Sequence, residues 1–266
     1  MTEPELARQL KQHLESLAGA GVAWLPRGSG VAEPLGNPVA GSALDRDQPA
    51  AASEPATTSP APAKSAAILE QRRTALALLA EEVVGCTRCP ELVKSRTQTV
   101  FGVGPPGVEL CFVGEAPGAD EDAQGEPFVG AAGQLLNRII GACGFQRSEV
   151  YICNTLKCRP PGNRTPLPDE MGNCRGFLKR QLELVQPRFI CALGGSAAQS
   201  LLQTGEALGR MRRRFHDYHG IPVICTYHPA YLLPHRSPEK KKEVWEDMKM
   251  LLEKMGRPIP TTKTQQ

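Results

Sequence analysis

Aromatic residues are scarce in this chain of 266 residues: there are 7 Phe, 4 Tyr and 2 Trp, and none lies between Trp24 and Phe101. Within that interval, residues 27–66 are rich in Ala, Pro and Ser, a composition that buries too little apolar surface to offset chain entropy. We therefore predict a disordered linker at residues 27–66. The remainder is long enough for one core domain at residues 67–256, followed by a C-terminal tail at 257–266.

Long hydrophobic runs are also missing. No stretch approaches the roughly 20 apolar residues that span a bilayer, and the charged N-terminus differs from a signal peptide. We therefore expect a cytoplasmic protein with no membrane partner. The net charge is −2 over residues 1–66 and +5 over the rest, which permits a polyanionic partner. Leucines at helical spacing within residues 1–26 predict a short helix, which either docks on a protein partner or packs on the core.

The core alternates short apolar runs with helical patterns. The apolar runs, which have the composition of buried strands, lie at 109–113, 150–153, 189–193 and 223–226. The helical patterns lie at 66–84, 133–143, 168–185, 196–202 and 239–255. Such alternation predicts parallel strands joined by helical crossovers. We predict a three-layer α/β/α sandwich with a four-stranded parallel sheet.

Polar and glycine-rich residues follow the predicted strands. They are GEAPG at 114–118, Asn154, GGSAA at 194–198 and His228. Ligands of open α/β sheets bind beyond the carboxyl ends of the strands. We therefore expect the carboxylate of Glu115, the amide of Asn154 and the imidazole of His228 to converge on one crevice. The alternative is that each is an ordinary loop residue.

The nine cysteines divide into two groups. Four lie one in each predicted strand and a fifth lies near a helix end, as expected of small buried apolar residues. Cys86, Cys89, Cys158 and Cys174 lie outside the strands, in a C-x2-C pair followed after 68 residues by C-x15-C. Disulfides are rare in cytosolic proteins, whereas four such thiolates suit zinc or an iron–sulfur cluster. The spacing leaves both open, and either would join the first core helix to the loop after the second strand.

The loops also exclude some nucleotide sites. GEAPG lacks the spacing of a dinucleotide fingerprint, no GKS or GKT is present, and the acidic residues within 115–122 disfavour a triphosphate. PFVG places Phe128 in a glycine-flanked loop before a helix N-terminus that can hold a phosphate. An exposed Phe128 would suit stacking on a flat ring, although a loop Phe is more often part of the core.

Together the motifs resemble those of the iron–sulfur-containing, family 4 uracil-DNA glycosylases. The matching pieces are GEAPGADED, GEPFVGAAGQLLN, NTLKCRPPGNRTP, the spacing of the four cysteines, and TYHPAYLL. They occur in order over roughly residues 70–253, and the first 66 residues are not covered. The resemblance implies a monomeric repair enzyme that hydrolyses the N-glycosidic bond of uracil in single- or double-stranded DNA. It also implies a [4Fe–4S] cluster on the four cysteines, with Zn²⁺ as the alternative.

The resemblance implies roles that suit the chemistry of each residue. Phe128 would stack on the extruded base, Asn154 would read uracil, and His228 would stabilise charge on uracil O2. Glu115 would stabilise the sugar cation and position or deprotonate water. The pocket would also be formed by Glu121 and by the backbone at Gly114 and Ala116.

Contacts to DNA phosphates are expected from basic and small residues. The candidates are Ser196, Arg159, Arg164, Arg212 and Arg213. Leu232 would be the wedge that fills the vacated stack. The family usually has Arg directly after the LL pair, whereas here Pro234 and His235 precede Arg236.

Two other functions compete with catalytic excision of uracil. A related branch traps uracil-DNA covalently through a histidine in a basic insert near the second strand. This chain has NTLKCRPPGNRTP there, and its RRRFH at 212–216 follows the third strand, so turnover is favoured. A non-catalytic, metal-stabilised nucleic-acid-binding module would leave Glu115, Asn154 and His228 without a common purpose.

Overall fold

The computed structural model describes residues 62–260, with side chains from residue 66 onward. The predicted helix within residues 1–26 and most of the predicted linker at 27–66 lie outside the described residues. Between residues 62 and 260, no helix is long and apolar enough to cross a membrane.

The centre of the fold is one five-stranded sheet. Its strands are β1 Leu110–Gly114, β2 Tyr151–Asn154, β3 Phe189–Leu193, β4 Phe215–Tyr218 and β5 Ile221–Thr226, in the spatial order β2-β1-β3-β5-β4. The four predicted strands, which are β1, β2, β3 and β5, pair in parallel as expected. The predicted number of strands was wrong, because β4 joins the edge antiparallel to β5. Its residues are mostly half-buried and include His216 and Asp217, so it lacks the apolar run that marks the other strands.

Helices cover both faces of the sheet. They are α1 Pro62–Val84, α2 Pro90–Ser95, α3 Ala119–Gln124, α4 Ala131–Ala142, α5 Pro168–Val185, α6 Gly195–Leu202, α7 Leu208–Met211 and α8 Lys241–Met255. Short 3₁₀ turns lie at Arg147–Glu149, Pro161–Asn163, Pro229–Leu232 and Pro238–Lys240. The helix predicted at 66–84 thus begins earlier, at Pro62, inside the segment assigned to the linker.

Alternate residues of each strand supply two separate cores. Phe112 of β1 packs with α4 and α8 on one face, whereas its neighbours Cys111 and Val113 pack with α5 and α6 on the other. Because both faces are covered, all residues of β1, β2 and β3 are buried. The cysteine of each predicted strand is fully buried, as its apolar surroundings predicted. These observations confirm the three-layer α/β/α arrangement.

The chain remains attached to the core beyond α8. The guanidinium carbon of Arg257 lies 3.9 Å from the ring centroid of Phe145, and Ile259 packs against the core formed by α4 and α8. The tail predicted from residue 257 therefore begins later than expected.

Candidate active site

A pocket of about 440 Å³ opens beyond the carboxyl ends of the parallel strands. Glu115 follows β1, Asn154 ends β2 and His228 lies just after β5, and all three line this pocket. Parallel strands place their carboxyl ends at one edge of the sheet, so residues distant in sequence meet there. The structure thus brings together the three side chains that the strand pattern singled out.

Gly114 lies directly against two of the side chains that line the pocket, those of Asn154 and Phe128. It is paired in register with Asn154 of the neighbouring strand. A Cβ added to Gly114 would overlap Oδ1 of Asn154 and would stand 2.6 Å from Cζ of Phe128. Only glycine leaves room here for the amide and the ring to approach the strand so closely.

The amide of Asn154 is buried and incompletely paired. Asn154 is 1% exposed, and within the described residues its Oδ1 has no hydrogen-bond partner. An unpaired buried acceptor costs about 1–3 kcal/mol. Asn154 also lines the pocket, so this unpaired acceptor lies beside the space that a ligand with an N–H donor would occupy.

Phe128 is held in the pocket wall by its loop. It is 4% exposed and so belongs to the core, which is one of the two alternatives that the sequence left open, and it also lines the pocket. Its φ of 54° is a backbone conformation that non-glycine residues rarely adopt. The carboxylate of Glu121 stabilises the loop by accepting hydrogen bonds from the backbone N–H groups of Gly118, Val129 and Gly130 at 3.1, 2.9 and 3.0 Å.

The imidazole of His228 enters the pocket in a defined tautomer. Its Nδ1 accepts a hydrogen bond from the backbone N–H of Ala230 at 3.2 Å, which leaves the proton on Nε2. Burial lowers the pKa of His228 to about 4; Arg236 acts in the same direction, and the negative charge of Glu121 opposes both. The side chain is therefore a neutral hydrogen-bond donor at physiological pH.

Glu115 is anchored through its main chain. Its carbonyl oxygen accepts hydrogen bonds from Oγ1 of Thr155 at 2.6 Å and from the backbone N–H of Leu156 at 2.9 Å. These bonds fix the turn after β1 to the turn after β2. The half-buried side chain then lines the pocket with Ala116, and its carboxylate can act on water or on a cationic group.

Asn163 and Arg236 also line the pocket, although neither was predicted from the sequence to do so. Asn163 follows Gly162, whose φ is 61°, and itself has a φ of 56°. Arg236 reaches the mouth of the pocket although it lies two residues beyond its expected position. The Pro-Gly-Asn sequence at 161–163 was the available signal for the first, since Asn favours such turns.

The four cysteines outside the strands lie in one neighbourhood beside α2 and α5. Cys89, Cys158 and Cys174 share a small apolar cluster with Leu92. Burial raises the pKa of Cys158, and the nearby thiols of Cys86 and Cys89 add to that increase. Burial likewise raises the pKa of Cys174 to about 11, with a contribution from Cys158.

Each of the four sulfur atoms accepts a hydrogen bond from nitrogen. The donors are Arg88 to Cys86 at 3.4 Å, Asn173 to Cys89 at 3.5 Å, Arg96 to Cys158 at 3.0 Å, and the Lys157 backbone N–H to Cys174 at 3.4 Å. Donors of this kind stabilise negative charge on sulfur and are typical of the surroundings of metal-bound thiolates. Among residues 66–260, no three His, Cys, Asp or Glu side chains are grouped as for a single metal ion.

Comparison with known proteins agrees with this geometry. Residues 101–249 match the family model described as the uracil DNA glycosylase superfamily. The chain belongs to this superfamily. A type-4 uracil-DNA glycosylase of Archaeoglobus fulgidus is 41% identical over 191 residues, which is 69% of this chain and 94% of that protein. One of Thermotoga maritima is 42% identical over 179 residues, 66% of this chain and 93% of that protein. These relatives place the chain in the type-4 group.

A more distant relative lies in another group of the same superfamily. A type-5 uracil-DNA glycosylase of Pyrobaculum aerophilum is 30% identical over 185 residues, which is 56% of this chain and 80% of that protein.

The structure overturns one of the DNA contacts expected from basic residues in this member of the uracil DNA glycosylase superfamily. The side chain of Arg212 is only 5% exposed and pairs with Asp247 and Glu243 inside the protein, so it cannot reach a phosphate. Arg164 lines the pocket, but its guanidinium already pairs with Glu170 and, at 3.0 Å, with Glu91. The charge of Arg212 is therefore used within the fold, whereas the side chain of Arg164 is paired but remains 31% exposed.

The expected wedge is also corrected. Leu232 is 1% exposed and packs in the core beside α4 and α8, because the Pro229–Leu232 turn points it inward. The neighbouring Tyr231 is 42% exposed, and Leu233 is half-buried. These two flanking residues, and not Leu232, present apolar surface beside the pocket.

The remaining predicted DNA contacts lie on or near the surface. Arg213 is exposed, Ser196 is half-buried in the first turn of α6, and Arg159 donates a hydrogen bond to Asn163 at 2.7 Å. None of these positions conflicts with a contact to DNA.

Proposed function

We propose that this protein excises uracil from DNA by hydrolysing its N-glycosidic bond and leaves an abasic site. The observation that carries the proposal is the unpaired Oδ1 of Asn154, buried in a pocket wall against Phe128. Uracil has an N–H donor at N3 and a carbonyl acceptor at O4. The amide matches both, since Oδ1 accepts from N3 and Nδ2 donates to O4.

Cytosine is excluded by the same amide. Its N3 is an acceptor and its exocyclic N4 is a donor, which is the reverse of the uracil pattern. Reading cytosine would require the amide of Asn154 to turn by about 180°, so that Nδ2 takes the place of Oδ1 beside Gly114. The base must be flipped out of the DNA stack to reach the pocket, at a cost of a few kcal/mol. Stacking on Phe128 offsets part of that cost.

Bond cleavage needs stabilisation at both ends of the breaking bond. When C1′–N1 breaks, its electron pair goes to the departing uracil, where negative charge collects at O2. The neutral Nε2–H of His228 donates to that oxygen. The sugar becomes cationic, and the carboxylate of Glu115 stabilises it. Water then adds its oxygen to C1′ and releases a proton, which Glu115 accepts or passes to solvent.

We also propose that Cys86, Cys89, Cys158 and Cys174 hold a [4Fe–4S] cluster, with zinc as the alternative. Support comes from the four thiols that share one neighbourhood, each with a nitrogen donor on its sulfur. When bound, the cluster supplies metal–thiolate bonds that join the segment after α1 to the loop after β2. That loop begins directly after Asn154, so a structural cofactor here stabilises the base-reading edge of the sheet.

Binding of DNA completes the proposal. Arg213, Ser196 and Arg159 are candidates for phosphate contacts, and Arg236 stands at the pocket mouth. The protein would act as a cytoplasmic monomer on uracil-containing DNA. Tyr231 and Leu233 would enter the stack at the vacated position.

The test is cleavage of an oligonucleotide that contains one uracil, followed by alkali to reveal abasic sites. We expect abasic product from the full-length protein and about 100-fold less from Asn154→Ala, since two hydrogen bonds to the base are lost. Asn137→Ala, which removes an exposed amide on α4, is the matched control and should retain full activity.

Other outcomes would decide against the proposal. A protein–DNA band that survives heat and detergent, without free abasic product, would indicate covalent trapping. Binding of the oligonucleotide with no cleavage across a range of salt and temperature would indicate a non-catalytic binding module.

A further inference from the structure

Arg212 belongs to an ion-pair network inside the protein, between α7 and α8. Its Nε donates to Oδ2 of Asp247 at 2.8 Å, and its Nη1 pairs with the carboxylate of Glu243. Its Nη2 donates to the carbonyl oxygen of Glu243 at 2.9 Å. The guanidinium is thus fixed on three sides by α8, which explains why a residue in a basic surface run lies almost completely buried.

The same network forms hydrogen bonds with the two residues that precede His228. Oγ1 of Thr226 donates to Oδ2 of Asp247 at 2.6 Å, and the hydroxyl of Tyr227 donates to Glu243 at 3.1 Å. The guanidinium carbon of Arg212 also stands 4.1 Å from the ring centroid of Tyr227. Arg212 is therefore the shared partner of both carboxylates and of the Tyr227 ring.

The two carboxylates of the network lie in different surroundings. Hydrogen bonds from Lys240 and then from Arg212 lower the pKa of Glu243 to about 2. Asp247 is 0% exposed, and although burial raises its pKa, the hydrogen bonds from Arg212 and Thr226 oppose that increase. Within the network, Arg212 and Asp247 form a buried ion pair, and removal of one partner of such a pair leaves the other charge uncompensated.

The position of His228 depends on this support. Within the described residues its ring makes one hydrogen bond, to the backbone N–H of Ala230 in its own turn, and no carboxylate bonds to it. On the other side, a Cβ on Gly194, whose φ is 96°, would stand 3.1 Å from Cβ of His228. The imidazole is therefore placed by the backbone that follows Tyr227, by contact with Gly194, and by the adjoining ring of Phe128, whose centroid is 5.5 Å away.

We propose that Arg212 is a positioning residue for His228, holding Thr226 and Tyr227 so that the imidazole meets O2 of the departing base. This role rests on the proposed uracil excision. It assigns a purpose to Arg212 within the fold in place of a contact with DNA. A displacement of about 1 Å at a catalytic group can cost about 100-fold in rate.

The experiment is a double-mutant cycle measured by single-turnover excision of one uracil from an oligonucleotide. Arg212→Lys keeps the charge but removes the forked donors and the flat surface over Tyr227. We expect the single-turnover rate constant to fall about 10- to 100-fold, while the protein concentration that gives half the maximal rate changes less than about twofold. In the His228→Ala background the same substitution should cost less than about twofold, because the group that it positions is already gone.

Arg180→Lys is the matched control, since it also replaces a guanidinium that forms two hydrogen bonds with a carboxylate, that of Glu82, away from the pocket. It should leave the rate unchanged. If Arg212→Lys does not fold, Thr226→Val provides the test, because it removes only the hydroxyl bond to Asp247 and should lower the rate in the same His228-dependent way.

The proposal would be overturned if Arg212→Lys or Thr226→Val lowered the rate by the same factor in the presence and in the absence of His228. It would also be overturned if Arg180→Lys lowered the rate as much as Arg212→Lys. Failure of the proposed function is recognised separately, because the unsubstituted protein would then give no abasic product.

Discussion

The ring of Phe128 and the imidazole of His228 adjoin in the pocket wall, with ring centroids 5.5 Å apart and planes inclined by 33°. A base that stacks on Phe128 is therefore brought next to the imidazole. The loop after β1 and the turn after β5 thus contribute to the same pocket, although the two residues are 100 positions apart in the sequence.

Phe128→Leu is expected to weaken substrate binding more than the chemical step. Stacking of a base on an aromatic ring contributes about 1–3 kcal/mol, so KM should rise about 10- to 100-fold while kcat falls less. Steady-state kinetics on a uracil oligonucleotide measure both. A fall in kcat at unchanged KM would instead show that the ring acts on the transition state.

Gly114→Ala is expected to abolish excision. The new methyl group would overlap Oδ1 of Asn154 and press on the Phe128 ring, so these side chains must move. A shift of that size can cost about 100-fold in rate. Gly176→Ala on α5 is the control, because a Cβ there meets nothing within 4 Å and glycine is a poor helix former. Retained activity in Gly114→Ala would contradict the close packing of Asn154 and Phe128 against Gly114.

Stability should depend on pH through His228. Its pKa falls from about 6.5 in the unfolded chain to about 4 in the folded protein, so between these values the unfolded state binds more protons. The stabilisation is complete above about pH 6.5 and is lost as pH falls through about 4. Thermal unfolding from pH 7 to pH 4 should therefore show a smaller decline for His228→Gln than for the unsubstituted protein. His219→Gln, at an exposed position, should decline like the latter.

Cys158→Ser is expected to remove bound metal and to lower stability. Its thiol joins the loop after β2 to Arg96, whose guanidinium also holds the carbonyl oxygens of Val84 and Cys86. Iron, sulfide and zinc analysis, visible absorbance and thermal unfolding measure the effect. Cys143→Ala, at a buried thiol outside the four, should keep the metal. Full metal content in Cys158→Ser would remove this residue from the ligand set.

Leu232→Ala is expected to lower the stability of the fold, whereas Tyr231→Ala is expected to weaken DNA binding. Leu232 is a core residue, so its truncation should cost about 2–5 kcal/mol of unfolding free energy. Tyr231 is exposed and stacks on Tyr227 at 5.6 Å, so its truncation should chiefly weaken binding to duplex DNA. Chemical denaturation and DNA titration separate the two effects. Normal stability in Leu232→Ala with lost DNA binding would restore Leu232 as the wedge.

Much of the fold was predictable because it depends on local patterns. Four apolar runs separated by helical periodicity imply a parallel sheet, and a parallel sheet places Glu115, Asn154 and His228 at one edge. The fifth strand was not predicted because an edge strand needs no continuous apolar run. β4 pairs with β5 through its backbone, although its sequence includes polar residues.

The sequence by itself determined which residues stand at the carboxyl ends of the strands, since hydrophobic periodicity is a short-range property. Only the tertiary structure decided which side chains of a loop face inward. Arg212 and Arg213 are adjacent and alike in chemistry, yet one is buried and the other exposed, because Asp247 and Glu243 on a distant helix form ion pairs with the side chain of the first. Leu232 is turned into the core in the same manner by packing against α4 and α8.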